Sequence, residues 1–353
     1  MNKLVLIGNG FDLAHGLKTR YTDFLLWYLN NTIQDFHKFK EYEDRLVVIS
    51  FKSFYIDNLS IDCTSINNFK HSLELNKNEI KFNIKSAFLK KLFNITIELN
   101  WIEIESVYYD LLKEIYRQRE QTPTQPTIYD LKAKQLNDDF DYLKNELQKY
   151  LNIVESSKKN QIPDIVEHFK NHFSTVPNTR TQIMFLNFNY TSTIEIYLEY
   201  LHHNQYNVNN IHGKLKDEIN PIIFGYGDEI DTYYQKIENI NSNEYLKNFK
   251  SFGYFKTNNY QDFSRFIESN PFKVYIMGHS CGLSDRTLLN KIVEDDNCME
   301  IEIFYYAKSD SENDYIEKTQ ELSRHFSAKT KHSMRIRIKS FLDSLPLVRC
   351  KAE

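Results

Sequence analysis

Four short stretches carry the residue types from which a chemical site can be built. The first is Gly8-Asn9-Gly10-Phe11-Asp12, with His15 and Gly16 behind it. The others are Asn189-Tyr190-Thr191, His212-Gly213, and Gly278-His279-Ser280-Cys281-Gly282 followed by Leu283-Ser284-Asp285. Closely spaced glycines let the main chain take positive φ and let a ligand approach it, and an element that opens there aims free N–H groups at a phosphate. Histidine titrates near neutral pH, so His212, with space opened beside it by Gly213, is the candidate general base; its plainer reading is a structural histidine. Asn189 can orient a hydroxyl or a water, or close a strand as an Asx turn. Asp12 can receive a ribose hydroxyl or satisfy local backbone donors. Asp285 divides in the same way.

Gly278 to Gly282 also matches G-x-S-x-G, the nucleophile elbow of α/β-hydrolases, directly after an apolar run. Asp295 or Asp296, with His325 or His332, would complete a triad in the order that fold uses. Against it, an elbow begins its helix at the serine, whereas Leu283-Ser284-Asp285 reads as an N-cap several residues later.

These stretches need a scaffold. Leu4 to Ile7 are apolar without alternation, the pattern of a strand buried on both faces. Thr181–Asn187, Asn207–Ile211, Pro221–Phe224, Phe272–Met277 and Glu300–Tyr306 read as further strands, and the reactive stretches sit at strand ends. Only nine glycines occur in 353 residues, none between Gly16 and Gly213, so they mark turns where backbone geometry leaves little choice. Strands alternating with helices predict an α/β fold with a Rossmann-like, mostly parallel sheet and a ligand at the carboxyl ends of the strands. Later helices are expected after Thr191-Ser192, over Ile237–Phe249, Tyr260–Glu268 and Arg286–Val293.

Residues 22–175 read as a large inserted α-helical domain. Its helices begin at Thr22 as N-cap and cover Arg45–Asn58, Ala87–Leu99 and Trp101–Arg119. A long one carries Leu136, Phe140, Leu143, Leu147, Tyr150 and Val154, as a bundle helix or a dimer coiled coil. Residues 1–21 and 176–345 then form the nucleotide-binding domain, and 346–353 a C-terminal tail.

Lys plus Arg (44) nearly balances Asp plus Glu (48), and the net charge of -4 offers no global attraction to nucleic acid or an anionic membrane. A local basic run, Lys329 to Arg337, is either a phosphate contact for nucleic acid or a solvated face. Cys63, Cys281, Cys298 and Cys350 form no CxxC and no zinc spacing, which argues against a structural metal or a disulfide framework. No apolar run approaches the roughly 18 residues of a membrane span, and the N-terminus enters a strand without a signal-peptide pattern, so a cytoplasmic protein with no membrane partner is expected.

Gly8-Asn9-Gly10-Phe11-Asp12-Leu13-Ala14-His15-Gly16-Leu17 with Tyr21-Thr22-Asp23-Phe24, Leu186-Asn187-Phe188-Asn189-Tyr190-Thr191, His212-Gly213, Phe224-Gly225, and Gly278-His279-Ser280 through Ser284-Asp285 together resemble the AbiH family of bacterial abortive-infection proteins. The motifs span nearly the whole chain in the expected order. The resemblance implies a role in antiphage defence and supplies no reaction. More distantly, the chain is similar to sirtuin-like NAD-binding domains of defence systems, with their Gly-rich first turn, T-x-N-x-D-like strand end, catalytic histidine before a glycine, and late G-x-S turn. That likeness implies that Gly8 and Gly10 hold phosphate, Asn189 faces the nicotinamide ribose or the water, His212 is the base, and Ser280 touches ribose or phosphate. The chain departs from the pattern where Thr191 replaces the aspartate and where Asn9 and Asp12 replace the alanine and serine of the first turn.

The candidate catalytic residues are therefore His212 and Asn189. Gly8, Asn9, Gly10, Phe11, Asp12 and His15 on one side, and Gly213, Gly278, His279, Ser280 and Asp285 on the other, are the candidate contacts to NAD or another adenine nucleotide, with no metal. Two functions stay open. One is a hydrolase of NAD or a related nucleotide, idle until infection. The other is a sensor that holds a nucleotide without turnover while the helical domain recognises a phage or host protein. A homo-oligomer is expected in either case.

Overall fold

A computed structural model describes residues 1–52, 59–99, 103–174, 181–201, 205–309 and 311–350. Its strands are β1 (Asn2–Ile7), β2 (Glu41–Glu43), β3 (Val47–Phe51), β4 (Ile80–Ile84), β5 (Ile183–Asn187), β6 (Tyr206–Asn210), β7 (Phe272–Met277) and β8 (Cys298–Phe304). Five of them form a parallel sheet in the order β6-β5-β1-β7-β8. This is the expected α/β, Rossmann-like sheet.

The apolar run of β1 follows from its central place. Leu4 is paired with Met184 of β5 on one side and Val274 of β7 on the other. The pleat sends alternate side chains to opposite faces. Leu4 and Leu6 join Met184, Leu186, Val274 and Ile276 in one core, while Val5 and Ile7 join Phe185, Tyr275 and Met277 in another. Both faces are covered, so the run Leu4 to Ile7 is apolar without alternation. From β1 the sheet grows outward through β5 and β6, then restarts on the other side of β1 with β7 and β8. The order reverses between β1 and β7, and ligands of open parallel sheets bind at such a reversal.

The chain divides into two compact units. The first, Met1–Lys18, Leu151–Tyr234 and Phe249–Glu353, holds the parallel sheet. The second, Thr19–Tyr150 and Gln235–Asn248, holds most of the helices expected in the insertion, together with an antiparallel sheet, β2-β3-β4. These boundaries differ from the expected ones at 21 and 175: residues 151–174 go with the sheet unit, and Gln235–Asn248 go with the helical one.

Several elements correct the sequence reading. The helix expected over Arg45–Asn58 is strand β3 as far as Phe51, residues 53–58 lying outside the described ones. Val47, Val48 and Ile49 are β-branched, and pairing with Asn83 and its neighbours on β4 outweighs their helical spacing. The helix Ile66–Leu75 was not foreseen; Ser65 caps it by accepting the Asn68 N–H at 3.0 Å. The helix expected to start at Thr22 is Tyr21–Phe39, with Arg20 as N-cap, its N–H donating to the Asp23 carboxylate at 3.2 Å. Trp101 lies outside the described residues, and its helix is Ile104–Gln121.

The long helix Pro126–Glu155 buries its stripe within the chain, Phe140 and Leu143 completely, which is the bundle-type packing rather than an open dimer seam. Pro221–Phe224 forms no strand; Ile223 N–H instead donates to the His212 carbonyl at 2.7 Å. The segment after Ser192 is a 3₁₀ helix, Thr193–Tyr200, and Ile237–Phe249 breaks into Thr232–Glu238 and a turn at Asn243–Tyr245. The C-terminal stretch is no loose tail up to Cys350: Pro346 bridges Tyr305, and Leu347 is buried with its N–H on the Tyr305 carbonyl at 2.8 Å.

Candidate functional site

The turns after β1 and β7 lie against each other at the reversal in strand order. Gly10 N–H donates to the Gly278 carbonyl at 2.7 Å, and Gly8 N–H to the Met277 carbonyl at 3.2 Å. A Cβ on Gly8 would stand 2.4 Å from His279 Cα, and one on Gly278, whose φ is +74°, would stand 2.1 Å from the Phe11 nitrogen. These glycines therefore serve a backbone-to-backbone contact, where the sequence reading assigned them to a ligand. Asn9 is exposed at the start of the short helix Asn9–Ala14.

Asn189 ties the end of β5 to the same turn, its Nδ2 donating to the Gly8 carbonyl at 3.0 Å. The Asx-turn reading holds one step earlier, at Asn187, whose Oδ1 accepts the Asn189 N–H at 3.1 Å. Phe11 and His15 turn away into the core. The His15 ring donates from Nδ1 to the Phe11 carbonyl at 2.7 Å, which leaves Nε2 to accept the Tyr197 hydroxyl at 2.6 Å.

Asp12 is buried, with one carboxylate oxygen accepting the Thr191 hydroxyl at 2.6 Å and the other, Oδ1, unpartnered. Burial pushes its carboxyl up to about 6, against the hydrogen bonds from Thr191 and Thr193.

The chemically densest point is Asp285, on the 3₁₀ turn Leu283–Asp285 that precedes the helix Arg286–Glu294. Its Oδ1 lies 2.7 Å from Lys250 Nζ and 3.3 Å from His212 Nε2, and its Oδ2 lies 3.5 Å from His279 Nε2. All four side chains are buried. Burial by itself would raise the Asp285 carboxyl, but the Lys250 ammonium and the two imidazoles hold it well below the usual carboxylate range. His212 is held low, by burial first and then by the Lys250 charge, so its ring is neutral at pH 7. Nε2 also meets the Tyr254 hydroxyl at 3.4 Å; with the Asp285 anion 3.3 Å away, Nε2 carries the proton, so the lone pair is on Nδ1, which has no hydrogen-bond partner among the described residues.

The ring of His212 is parallel to that of Tyr254, 6.3 Å away, and meets Phe188 edge-on at 5.1 Å. Gly213, at φ +85°, lies so close to Pro221 that a Cβ would stand 2.3 Å from its carbonyl oxygen. His279 is differently engaged: its Nδ1 accepts the Cys281 N–H at 2.9 Å, so both ring nitrogens are used by the protein.

The residues of the hydrolase reading do not assemble. Ser280 is exposed, and among the described residues its hydroxyl meets no histidine. The positive φ that an elbow gives its nucleophile falls on Cys281 instead, at 59°, where burial pushes the thiol up to about 12. His325 donates to the Cys281 carbonyl at 2.8 Å, while Asp295 accepts the Asn297 N–H at 3.0 Å. The basic run is partly used inside the fold: Arg337 donates to the Val293 and Asp295 carbonyls at 2.7 and 2.9 Å. Among the described residues no helix is long and apolar enough to cross a membrane.

The structure thus joins His212, His279 and Asp285, sets Gly8, Gly10, Asn189 and Gly278 beside them, and leaves Ser280 apart. Lys250, Tyr254 and Phe188 belong to the knot and were missed as site residues, since nothing in the sequence around Lys250 marks it as buried. No curated protein matches the chain. The family described as "Bacteriophage abortive infection AbiH" matches residues 4–307, and the chain belongs to that family.

Proposed function

We propose that this abortive-infection protein binds an adenine nucleotide at the carboxyl ends of β1, β5 and β7 and hydrolyses it, with NAD as the leading substrate. The observation that carries this reading is the pairing of His212 with Asp285 at 3.3 Å, which leaves a neutral imidazole with an open Nδ1 at the edge where parallel sheets act on ligands. In NAD hydrolysis a water oxygen bonds to C1′ of the ribose, and the C1′–N bond breaks. Nicotinamide leaves with that electron pair, and the water proton passes to His212 Nδ1. Asn189 would orient the water or the ribose, and Asp12 Oδ1, buried without a partner, would accept a ribose hydroxyl.

His212 is only 4% exposed and the Gly10 N–H is already bonded to Gly278. On this reading the form described is the idle one, and the turns at 8–10 and 278–282 separate when substrate is admitted. The same two facts favour the second reading, a sensor that binds nucleotide without turnover. Both are tested by measuring nicotinamide release, binding by calorimetry, and hydrolysis of ADP-ribose and ATP. His212→Ala is expected to lose about 10²–10⁴-fold in turnover and to keep most of the binding, because a base acts on the transition state. Binding without turnover in the wild type, both alone and with lysate of phage-infected cells, would select the sensor; no binding would end both readings.

A further inference from the structure

We propose that Lys250 is the positioning residue of the pair: it locks the Asp285 carboxylate so that His212 keeps its proton on Nε2 and its lone pair on Nδ1. The inference rests on the reading of His212 as a base. Lys250 opens the short helix Lys250–Gly253, and its N–H donates to the Tyr226 carbonyl at 3.0 Å. Its side chain then passes Gly227, where an added Cβ would stand 3.3 Å from Lys250 Cδ and 2.7 Å from the Ser284 carbonyl oxygen. The missing side chain of Gly227 is the passage through which Lys250 reaches the interior. The side chain, 1% exposed, ends 2.7 Å from Asp285 Oδ1 and 3.2 Å from the Ser284 carbonyl. Lysine is almost never buried so fully unless paired.

Lys250 and His212 meet the same carboxylate oxygen. With the ammonium in place the anion is already neutralised, and His212 need carry no charge. Without it, Asp285 has only histidines to balance it, and a proton taken up at His212 Nδ1 would fill the lone pair that the chemistry requires. The titratable groups facing His212 are Asp285, Lys250, His279 and Tyr254. Arg286, with His279 and Asp285, acts on His325 beyond them.

The test follows the His212 ring by NMR in the ¹⁵N-histidine-labelled full chain, assigned by difference with His212→Gln. Lys250→Met is expected to bind the His212 proton at least about tenfold more tightly, the direction set by loss of a nearby positive charge. Lys250→Arg, which keeps that charge, is expected to titrate as the wild type does. Gly227→Ala retains every titrating group but presses on Lys250 Cδ and on the Ser284 carbonyl that Lys250 contacts, so a smaller shift in the same direction is expected. It decides the matter if circular dichroism shows Lys250→Met unfolded. The acid limb of nucleotide turnover is expected to move to higher pH in step with the NMR shift. An unchanged titration in folded Lys250→Met, or an equal shift in Lys250→Arg, would overturn the assignment. If the wild type turns over no nucleotide, the base reading fails while the NMR still decides the role of Lys250.

Discussion

Asp12 and Asp285 are both buried carboxyls at the carboxyl edge of the same sheet, and their surroundings drive them in opposite directions. Asp12 is met by neutral hydroxyls, and burial dominates, lifting it to about 6. Asp285 is buried as well, but an ammonium and two imidazoles converge on it and hold it well below the carboxylate range. Burial sets the size of what is at stake, and the identity of the neighbour sets its sign. One site is thereby prepared to take or release a proton near pH 6, and the other to stay an anion.

The sharpest way to break this comparison is to remove the anion. Asp285→Ala takes from the buried Lys250 ammonium the carboxylate it meets at 2.7 Å and is expected to lose about 3–5 kcal/mol of unfolding free energy in urea. A loss below 1 kcal/mol would mean that Lys250 finds another partner and that the ion pair does not organise the site.

The Asp12 side is sharpened by pH. A carboxyl whose folded pKa is raised binds its proton more tightly in the native state, so stability falls as pH climbs from the unfolded value near 4 to the folded value of about 6. The difference in unfolding free energy between wild type and Asp12→Asn is expected to change by about 2 kcal/mol from pH 4 to pH 7, against the wild type. Asp285 has the depressed, opposite case. Its contribution is fully present above about pH 4 and is lost only as pH falls through its lower folded value. A flat difference curve for Asp12→Asn would remove the contrast.

Gly278→Ala probes the turn beside both carboxyls. A side chain at φ +74°, 2.1 Å from the Phe11 nitrogen, is expected to cost about 1–3 kcal/mol, read as a lowered midpoint of thermal unfolding. The smallest effect is expected at Ser280→Ala. That exposed substitution should stay within about 0.5 kcal/mol, and a fluorophosphonate probe should leave the wild-type serine unlabelled.

The parallel sheet was legible because β1, β5 and β7 are buried on two faces and carry apolar runs over 4–7, 183–186 and 274–277. The strand ends were legible because the glycines are so few. Lys250 was not: its burial depends on Gly227 and Ser284, which are distant in sequence, and no local pattern encodes a passage between them. The β2-β3-β4 sheet was hidden for a related reason. Val47 to Phe51 is short, and its pairing with Ile80 to Ile84 across the helix Ile66–Leu75 outweighed a helical spacing of the same residues. In the site, the residue types singled out His212 and Asp285, whose side chains converge in the fold. At Gly8 and Gly10 they pointed to a ligand, and the neighbour found there is another turn of the same chain.

The central place of β1 also bears on how the protein is made. Lys3 must find Ile183 on one side and Lys273 on the other, so synthesis leaves Leu4 to Ile7 unpaired until most of the chain has emerged. Long-range parallel pairing is slow, and an apolar strand waiting for partners invites association with other chains. Thr19–Tyr150, whose sheet pairs residues much closer in sequence, can gather in that interval. The knot at Asp285 can close only after residue 285 is made, so a ribosome-bound chain carries the glycine turn of β1 long before it carries a site.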